Sequence, residues 1–212
     1  MISVLQYWPF DLVASRKTRI FKYVDPTGAV PTISSVYSYD SAAGELNLAQ
    51  YDAEGAWQCS WRLVYEPDLG VCEVSDWYPQ TSVFEKILFG AIQRENLSAP
   101  IVWGNEIEIG DVVRSTPTYD GITSTPPFCV NGSGEQFVKF EVMLQQLTLA
   151  DGTVYKNVLQ FYYAQTWDGR TEGARYYCAP GVGPVAIEWL EVDPDGVIIK
   201  VEPRIDATVT ET

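Results

Sequence analysis

The stretch ARYYCAPGVGPVAIEWLEVDPDG, Ala174 to Gly196, decides the fold. Two strand-like runs flank a break of Pro180, Gly181, Gly183 and Pro184, and a second turn signal, Asp195-Gly196, follows at once. Such a break is either a cradle for a ligand or a sharp corner between strands. A phosphate cradle needs a helix N-terminus or a nest of amides beside the glycines. A strand follows Pro184 instead. The spacing therefore favours a structural corner at Gly181, Gly183 and Pro184, with at least one glycine at positive φ or against neighbouring backbone.

Working outward, the second half of the chain is regular. Gln136 to Leu149 reads as a strand with Val138, Phe140, Val142 and Leu144 on one face. Asp151-Gly152 is a two-residue hairpin signal, and Thr153 to Trp167 is the partner. Gly173 to Ala179, Pro184 to Val192 and Val197 to Val201 complete five consecutive antiparallel strands. The last two join across Asp193-Pro194-Asp195-Gly196, which is read as a turn rather than a calcium site with Glu191. Five such strands predict a curved meander, part of an open half-barrel or a β-sandwich.

The first half also alternates. Lys17 to Val24, AVPTISSVYSYD and GELNLAQYD read as strands, and AWQCSWRLVYE puts Trp57, Cys59, Trp61, Leu63 and Tyr65 on one face. Gly70 to Trp77 returns antiparallel. Period two with one apolar face means a sheet with one buried side. Ser82 to Asn96 breaks the pattern: Val83, Phe84, Ile87, Leu88, Ala91 and Ile92 form a helical stripe behind a Ser82–Glu85 capping box. A buried strand over Val83–Phe89 is the alternative. Arg114 to Gln136 is rich in Pro, Thr and Gly and is expected to be a long loop. The expectation is one mainly β domain over 1–212, with halves 1–113 and 137–203 joined by the loop 114–136 and at most one short helix.

Composition narrows the chemistry. The chain has 212 residues, a 46% apolar fraction, 13% aromatics and a formal net charge of −14. Phosphate backbones and anionic membrane surfaces repel such a chain, so no nucleic-acid partner is expected. There is no His, which removes Ser-His and Cys-His nucleophile pairs and imidazole metal sites. No CxxC, Walker loop or GxGxxG after a strand occurs. No run reaches the ~18 apolar residues of a membrane span. No cofactor is expected. MISVLQYWPFDL lacks a basic region, a long apolar core and a cleavage site, so either a signal is already removed or none is used. Cys59, Cys72, Cys129 and Cys178 are few for a disulfide scaffold. A tight turn at Pro67–Gly70 would bring Cys72 opposite a residue near Tyr65, not Cys59.

GTVYKNVLQFYY and ARYYCAPGVGPVAIEWLEV, with YWPFDLVASRKTRIFKYVD near the start, resemble bacterial secreted and lipoprotein-like β proteins. The resemblance covers Tyr7–Asp25 and Gly152–Val192. It implies the open half-barrel of the lipoprotein-localisation type, a strongly curved antiparallel sheet, in some members with a helix across its concave face. The lipidation cysteine of that pattern is missing near the start, and Ala14 replaces a glycine.

The remaining candidates have two readings each. Arg16, Lys17, Arg19 and Lys22 could dock an acidic partner or form the charged face of an edge strand. Trp57, Trp61, Trp103 and Trp167 could line an apolar or sugar-binding groove or belong to the core. Asn96-Leu97-Ser98 and Asn131-Gly132-Ser133 match the glycosylation sequon. No carboxylate dyad can be picked out from spacing. The subtraction of catalytic groups leaves a non-enzymatic structural or interaction protein. The first expectation is a bacteriophage virion component of the tail, baseplate or head surface, oligomeric with other protein subunits. Arg16, Lys17, Arg19, Pro117, Pro126 and Pro127 are its candidate interface. The alternative is a periplasmic or extracellular module holding an acyl chain or hydrophobic partner on a concave sheet.

Overall fold

Alternating apolar and polar residues build the strands, and hydrogen-bonded pairing merges nearly all of them into one curved sheet. A computed structural model describes residues 1–12, 17–28, 32–40, 45–79, 91–99, 101–116, 118–123, 129–167, 170–193 and 197–212. In chain order the strands are β1 (Ile2–Ser3), β2 (Arg19–Tyr23), β3 (Ile33–Asp40), β4 (Glu45–Tyr51), β5 (Trp57–Glu66) and β6 (Gly70–Pro79). Next come β7 (Ala91–Ala99), β8 (Ile101–Gly104), β9 (Glu106–Ile107), β10 (Val112–Ser115), β11 (Thr118–Thr123) and β12 (Cys129–Thr148). The chain ends with β13 (Val154–Trp167), β14 (Arg170–Ala179), β15 (Gly183–Val192), β16 (Ile198–Val201) and β17 (Ile205–Glu211). A 3-10 turn spans Val4–Tyr7.

Among the described residues, fifteen strands form one antiparallel sheet, and β1 with β9 forms a small second one. The main order runs β12-β11-β7-β6-β5-β4-β3-β2-β17-β15-β14-β13, and β13 pairs with β12 again. The expected half-barrel therefore curls further, into a nearly closed, barrel-like sheet. Strands β12 to β16 pair consecutively as a five-strand meander, but the first hairpin closes with Leu149 against Thr153 around three residues, not the two of an Asp151-Gly152 turn. Cys72 faces Val64, beside the Tyr65–Val71 pair, as a tight hairpin requires.

β17 joins the halves. It pairs with β15 through Ala186–Asp206 and Ile187–Ile205, and with β2 from Ala207–Tyr23 to Glu211–Arg19. β2 is consequently an inner strand flanked by β17 and β3, not a charged edge.

Two sequence expectations are corrected. The stretch 114–136 is not a loop throughout: Thr118–Thr123 is β11, and Cys129–Gln136 belongs to β12. Gly121 sits opposite Val130, so pairing on both flanks overrides the Gly- and Thr-rich composition. The helix expected over Ser82–Asn96 does not reach its C-terminal end, because Ala91–Asn96 lies in β7. There the backbone pairs with β6 on one side and β11 on the other. Residues 82–90 lie outside the described residues.

The largest core cluster packs inside the barrel. Phe21, Phe140 and Phe161 are fully buried in it with Leu46, Leu63, Val138 and Leu159. Each such side chain contributes roughly 1.5–3 kcal/mol by leaving water. Phe140 to Val142 carries a β-bulge, which breaks the face shared by Val138, Phe140, Val142 and Leu144. The outward positions are mixed: Tyr162, Ala164, Leu190 and Val192 form a smaller buried apolar cluster, and charged residues stand beside it. Arg175, between inward Ala174 and Tyr176, bridges Glu141 at 2.6 Å and Glu188 at 2.7 Å.

The N-terminal segment packs into the same core. Val4, Tyr7, Trp8 and Leu12 are buried in the main cluster. β1 holds Ile107 by pairing, and the Val4 N–H donates to the Asn105 carbonyl at 2.7 Å.

Candidate functional site

The glycine corner is a docking point within the chain. Gly181 has φ 69° and Gly183 φ 110°, so both occupy backbone space that L side chains rarely adopt. The Gly181 N–H donates to the Gln6 carbonyl at 2.8 Å. A Cβ on Gly183 would stand 3.1 Å from Phe21 Cζ and 3.3 Å from Pro9 Cδ. The Pro184 carbonyl accepts the Tyr23 hydroxyl at 2.7 Å. The corner thus lets the N-terminal segment close onto β2 and β15.

Arg19 ties this corner together. Its side chain is 6% exposed. Nη1 donates to the carbonyls of Gly181 (3.0 Å) and Val182 (2.9 Å) and to Asp11 Oδ1 (3.1 Å). Nε donates to Glu211 Oε1 at 2.8 Å. Burial opposes the charge, but the hydrogen bonds to Asp11 and Glu211 outweigh it and hold the guanidinium above its ordinary pKa. Arg19 is therefore not the exposed interface residue that its basic cluster suggests. Lys17 is exposed and pairs with Glu211 at 3.2 Å. Arg16, Pro117, Pro126 and Pro127 lie outside the described residues.

The main cavity lies inside the barrel. Ten strands line it, and period two shows directly in Ile33, Ser35 and Tyr37 of β3, Leu48 and Gln50 of β4, and Trp61 and Leu63 of β5. Ile187 and Trp189 of β15 do the same on the far wall, with Tyr163, Tyr176 and Ile205 beside them. Trp8, from the N-terminal segment, and Trp103, from β8, complete the aromatic lining. The space free of atoms, its open mouth included, is about 700 Å³. Eight of the sixteen lining residues are Trp or Tyr, so ring faces and edges set its chemistry.

Trp8 and Trp103 meet edge to face, with centroids 5.1 Å apart. Trp103 also packs on Tyr163 at 4.8 Å. Neither indole N–H of the two has a hydrogen-bond acceptor among the described residues.

A polar strip crosses one wall. Ser35, Gln50 and Cys59 occupy successive cross-strand positions. Gln50 Nε2 donates to Ser35 Oγ at 3.2 Å, and Cys59 Sγ donates to Gln50 Oε1 at 3.5 Å. Glu73 is the one carboxylate among the described lining residues and is 4% exposed. It stands opposite Leu63 across the β5–β6 pair. Burial pushes the hydroxyls of Tyr23 and Tyr37 well above their ordinary pKa, so both stay protonated at neutral pH. Burial also pushes the Cys72 thiol up to about 11, and the Cys178 thiol higher still. Cys72 and Cys178 are free thiols.

The four tryptophans singled out from sequence divide. Trp61 and Trp103 share the cavity. Trp57 is 36% exposed at the start of β5. The side chain of Trp167 lies outside the described residues. Sequence reasoning missed Trp8 and Trp189. Trp189 was legible from its alternation with Ile187. Trp8, in an irregular segment, carried no periodic signal. The Asp193 turn is a hairpin: the Val197 N–H donates to Asp193 Oδ1 at 2.7 Å. Both sequons fall in paired strands, β7 and β12.

No protein-family model matches the chain. No curated protein matches it. Among solved structures, the chain is similar to one from Parabacteroides distasonis ATCC 8503, described as a "putative lipoprotein". The two share 10% identity over 96% of each chain, with a TM-score of 0.43. Among the described residues, no helix is long and apolar enough to cross a membrane.

Proposed function

We propose that this chain is a binding module that holds a small, mainly apolar molecule inside its barrel and does not transform it. One observation carries the reading: an interior space lined by aromatic rings and open at a mouth. Small-molecule sites are concave, mostly apolar, and are found in the mouths of β-barrels. A few polar groups in an apolar wall are what orient a ligand, and Ser35, Gln50 and Glu73 play that part here.

An acyl chain is one occupant this wall could hold, and compact ring-bearing molecules are another. A periplasmic or extracellular setting belongs to the reading on the sequence resemblance alone. The virion role expected from the acidity and the strand-rich sequence draws on no contact within the chain. It is the competing outcome of the same experiment.

The test is a titration with N-phenyl-1-naphthylamine, a neutral apolar fluorophore. Saturable fluorescence gain is expected, and Ile33→Trp, which puts a ring into the cavity from the half-buried β3 position, should abolish it. No uptake by a folded protein that assembles with its neighbours would contradict the reading and favour the virion role.

A further inference from the structure

We infer that the occupant of the interior is a neutral apolar molecule bearing a ketone or ester carbonyl, and that the Tyr37 hydroxyl donates to its oxygen. The inference rests on the cavity being a ligand site and adds the polar group of the occupant.

Tyr37 lines the cavity on the same face of β3 as Ser35 and is 2% exposed. Its ring meets Phe21 edge to face, with centroids 5.2 Å apart. Its hydroxyl makes no hydrogen bond among the described residues. Tyr23 differs, because its hydroxyl donates to the Pro184 carbonyl at 2.7 Å. Buried polar groups are ordinarily paired, and a hydroxyl taken from water without a partner costs free energy. A ligand acceptor beside Tyr37 removes that cost. Burial keeps the proton on the hydroxyl at neutral pH, so it meets the ligand as a donor.

The other unmet groups of the wall are donors too. Trp8 and Trp103 line the cavity at 4% exposure each, and neither indole N–H has an acceptor among the described residues. Trp103 adjoins Tyr176, with centroids 6.2 Å apart, and Tyr176 lies close enough to Tyr37 to act on its charge. The unmet donors thus share one aromatic stretch of the wall. Acceptors nearby are already in use, since Ser35 Oγ accepts from Gln50 and Gln50 Oε1 accepts from Cys59. A ligand amine or hydroxyl would compete for them. A ketone or ester carbonyl brings lone pairs and no donor.

The body of the ligand follows from the remaining lining, which is mainly rings and aliphatic side chains. An anionic head group fits less well than a carbonyl. No Lys or Arg is among the described lining residues, and a buried charge without a partner costs far more than an unpaired neutral group.

The test titrates the full chain with 2-acetylnaphthalene and with 2-isopropenylnaphthalene, in which a methylene replaces the carbonyl oxygen. Tyr37→Phe should weaken the ketone about fivefold and leave the hydrocarbon unchanged. Its unfolding midpoint should stay level or rise, because no partner within the chain is lost. In the wild type, the carbonyl 13C resonance of the bound ketone should lie downfield of its position in hexane, and Tyr37→Phe should move it back. A lowered midpoint with equal losses for both probes would show a merely structural hydroxyl and overturn the inference. Unchanged ketone affinity in folded Tyr37→Phe, or a hexane-like resonance in the wild type, would overturn it too, while leaving the cavity as a site. The wild-type resonance decides the matter if Tyr37→Phe fails to fold. If neither probe binds, the ligand-site reading falls and the inference falls with it.

Discussion

Arg19 Nη1 donates to the Gly181 carbonyl at 3.0 Å, across 162 positions of sequence. This contact joins the first strand of the barrel to the corner before β15. With Asp11 and Glu211 on the same guanidinium, one side chain ties the N-terminal segment, the corner and the C-terminal strand.

Arg19→Met should therefore destabilise the fold by about 3 kcal/mol, because it leaves two carbonyls and two carboxylates without their shared donor. Arg19→Lys should recover only part, since an ammonium is a point charge and cannot fork between these partners. Urea unfolding midpoints measure both. A loss below about 1 kcal/mol for Arg19→Met, the level of an exposed ion pair, would show that the contact is incidental.

The two corner glycines should differ. Gly181 has open space where a Cβ would go, so Gly181→Ala carries only backbone strain, about 1 kcal/mol. A Cβ on Gly183 presses on Phe21 and Pro9. Both are buried, so neither can yield easily. Gly183→Ala should cost about 3 kcal/mol. Thermal unfolding of the pair checks the order, and a larger loss at Gly181 would refute the packing account.

Alkali should unfold the protein through its buried tyrosines. Burial raises the Tyr23 and Tyr37 hydroxyls well above their ordinary 10.0. A group whose folded pKa is raised keeps its contribution below the unfolded pKa and loses it as pH climbs toward the folded one. Stability should thus hold up to about pH 10 and fall beyond it. Acid acts on Glu211, held below its ordinary 4.5 by Arg19 and then Lys17. Its contribution is present above that value and is lost as pH falls through the lowered pKa. Spectrophotometric tyrosine titration beside circular dichroism follows the alkaline limb. Smooth ionisation of every tyrosine with the fold intact would contradict the burial argument.

Much of the barrel was legible in the sequence because period two needs only neighbours. The β5 alternation put Trp61 and Leu63 on one face, and both face the cavity. Pro180 to Pro184 announced the corner through the backbone demands of its glycines. The rest depends on distant pairing. β17 is a short Ala- and Thr-rich strand whose role comes from lying between β15 and β2. Arg19 looked like a surface charge because its partners lie 8 and 192 positions away. Asp120 to Thr123 resembled a loop by composition, yet pairing on two sides makes it a strand. Trp8 enters the cavity from a segment with no period to read.

The central claim is that the aromatic interior is where a ligand sits, and the indole N–H resonances of the seven tryptophans report on it one by one. In a two-dimensional 1H–15N titration with N-phenyl-1-naphthylamine, the indole signals of Trp8, Trp61, Trp103 and Trp189 should shift together and saturate. Trp57, on the exposed start of β5, should stay in place. Saturable shifts confined to Trp57, or no shift at the four interior indoles while the probe binds, would contradict the account.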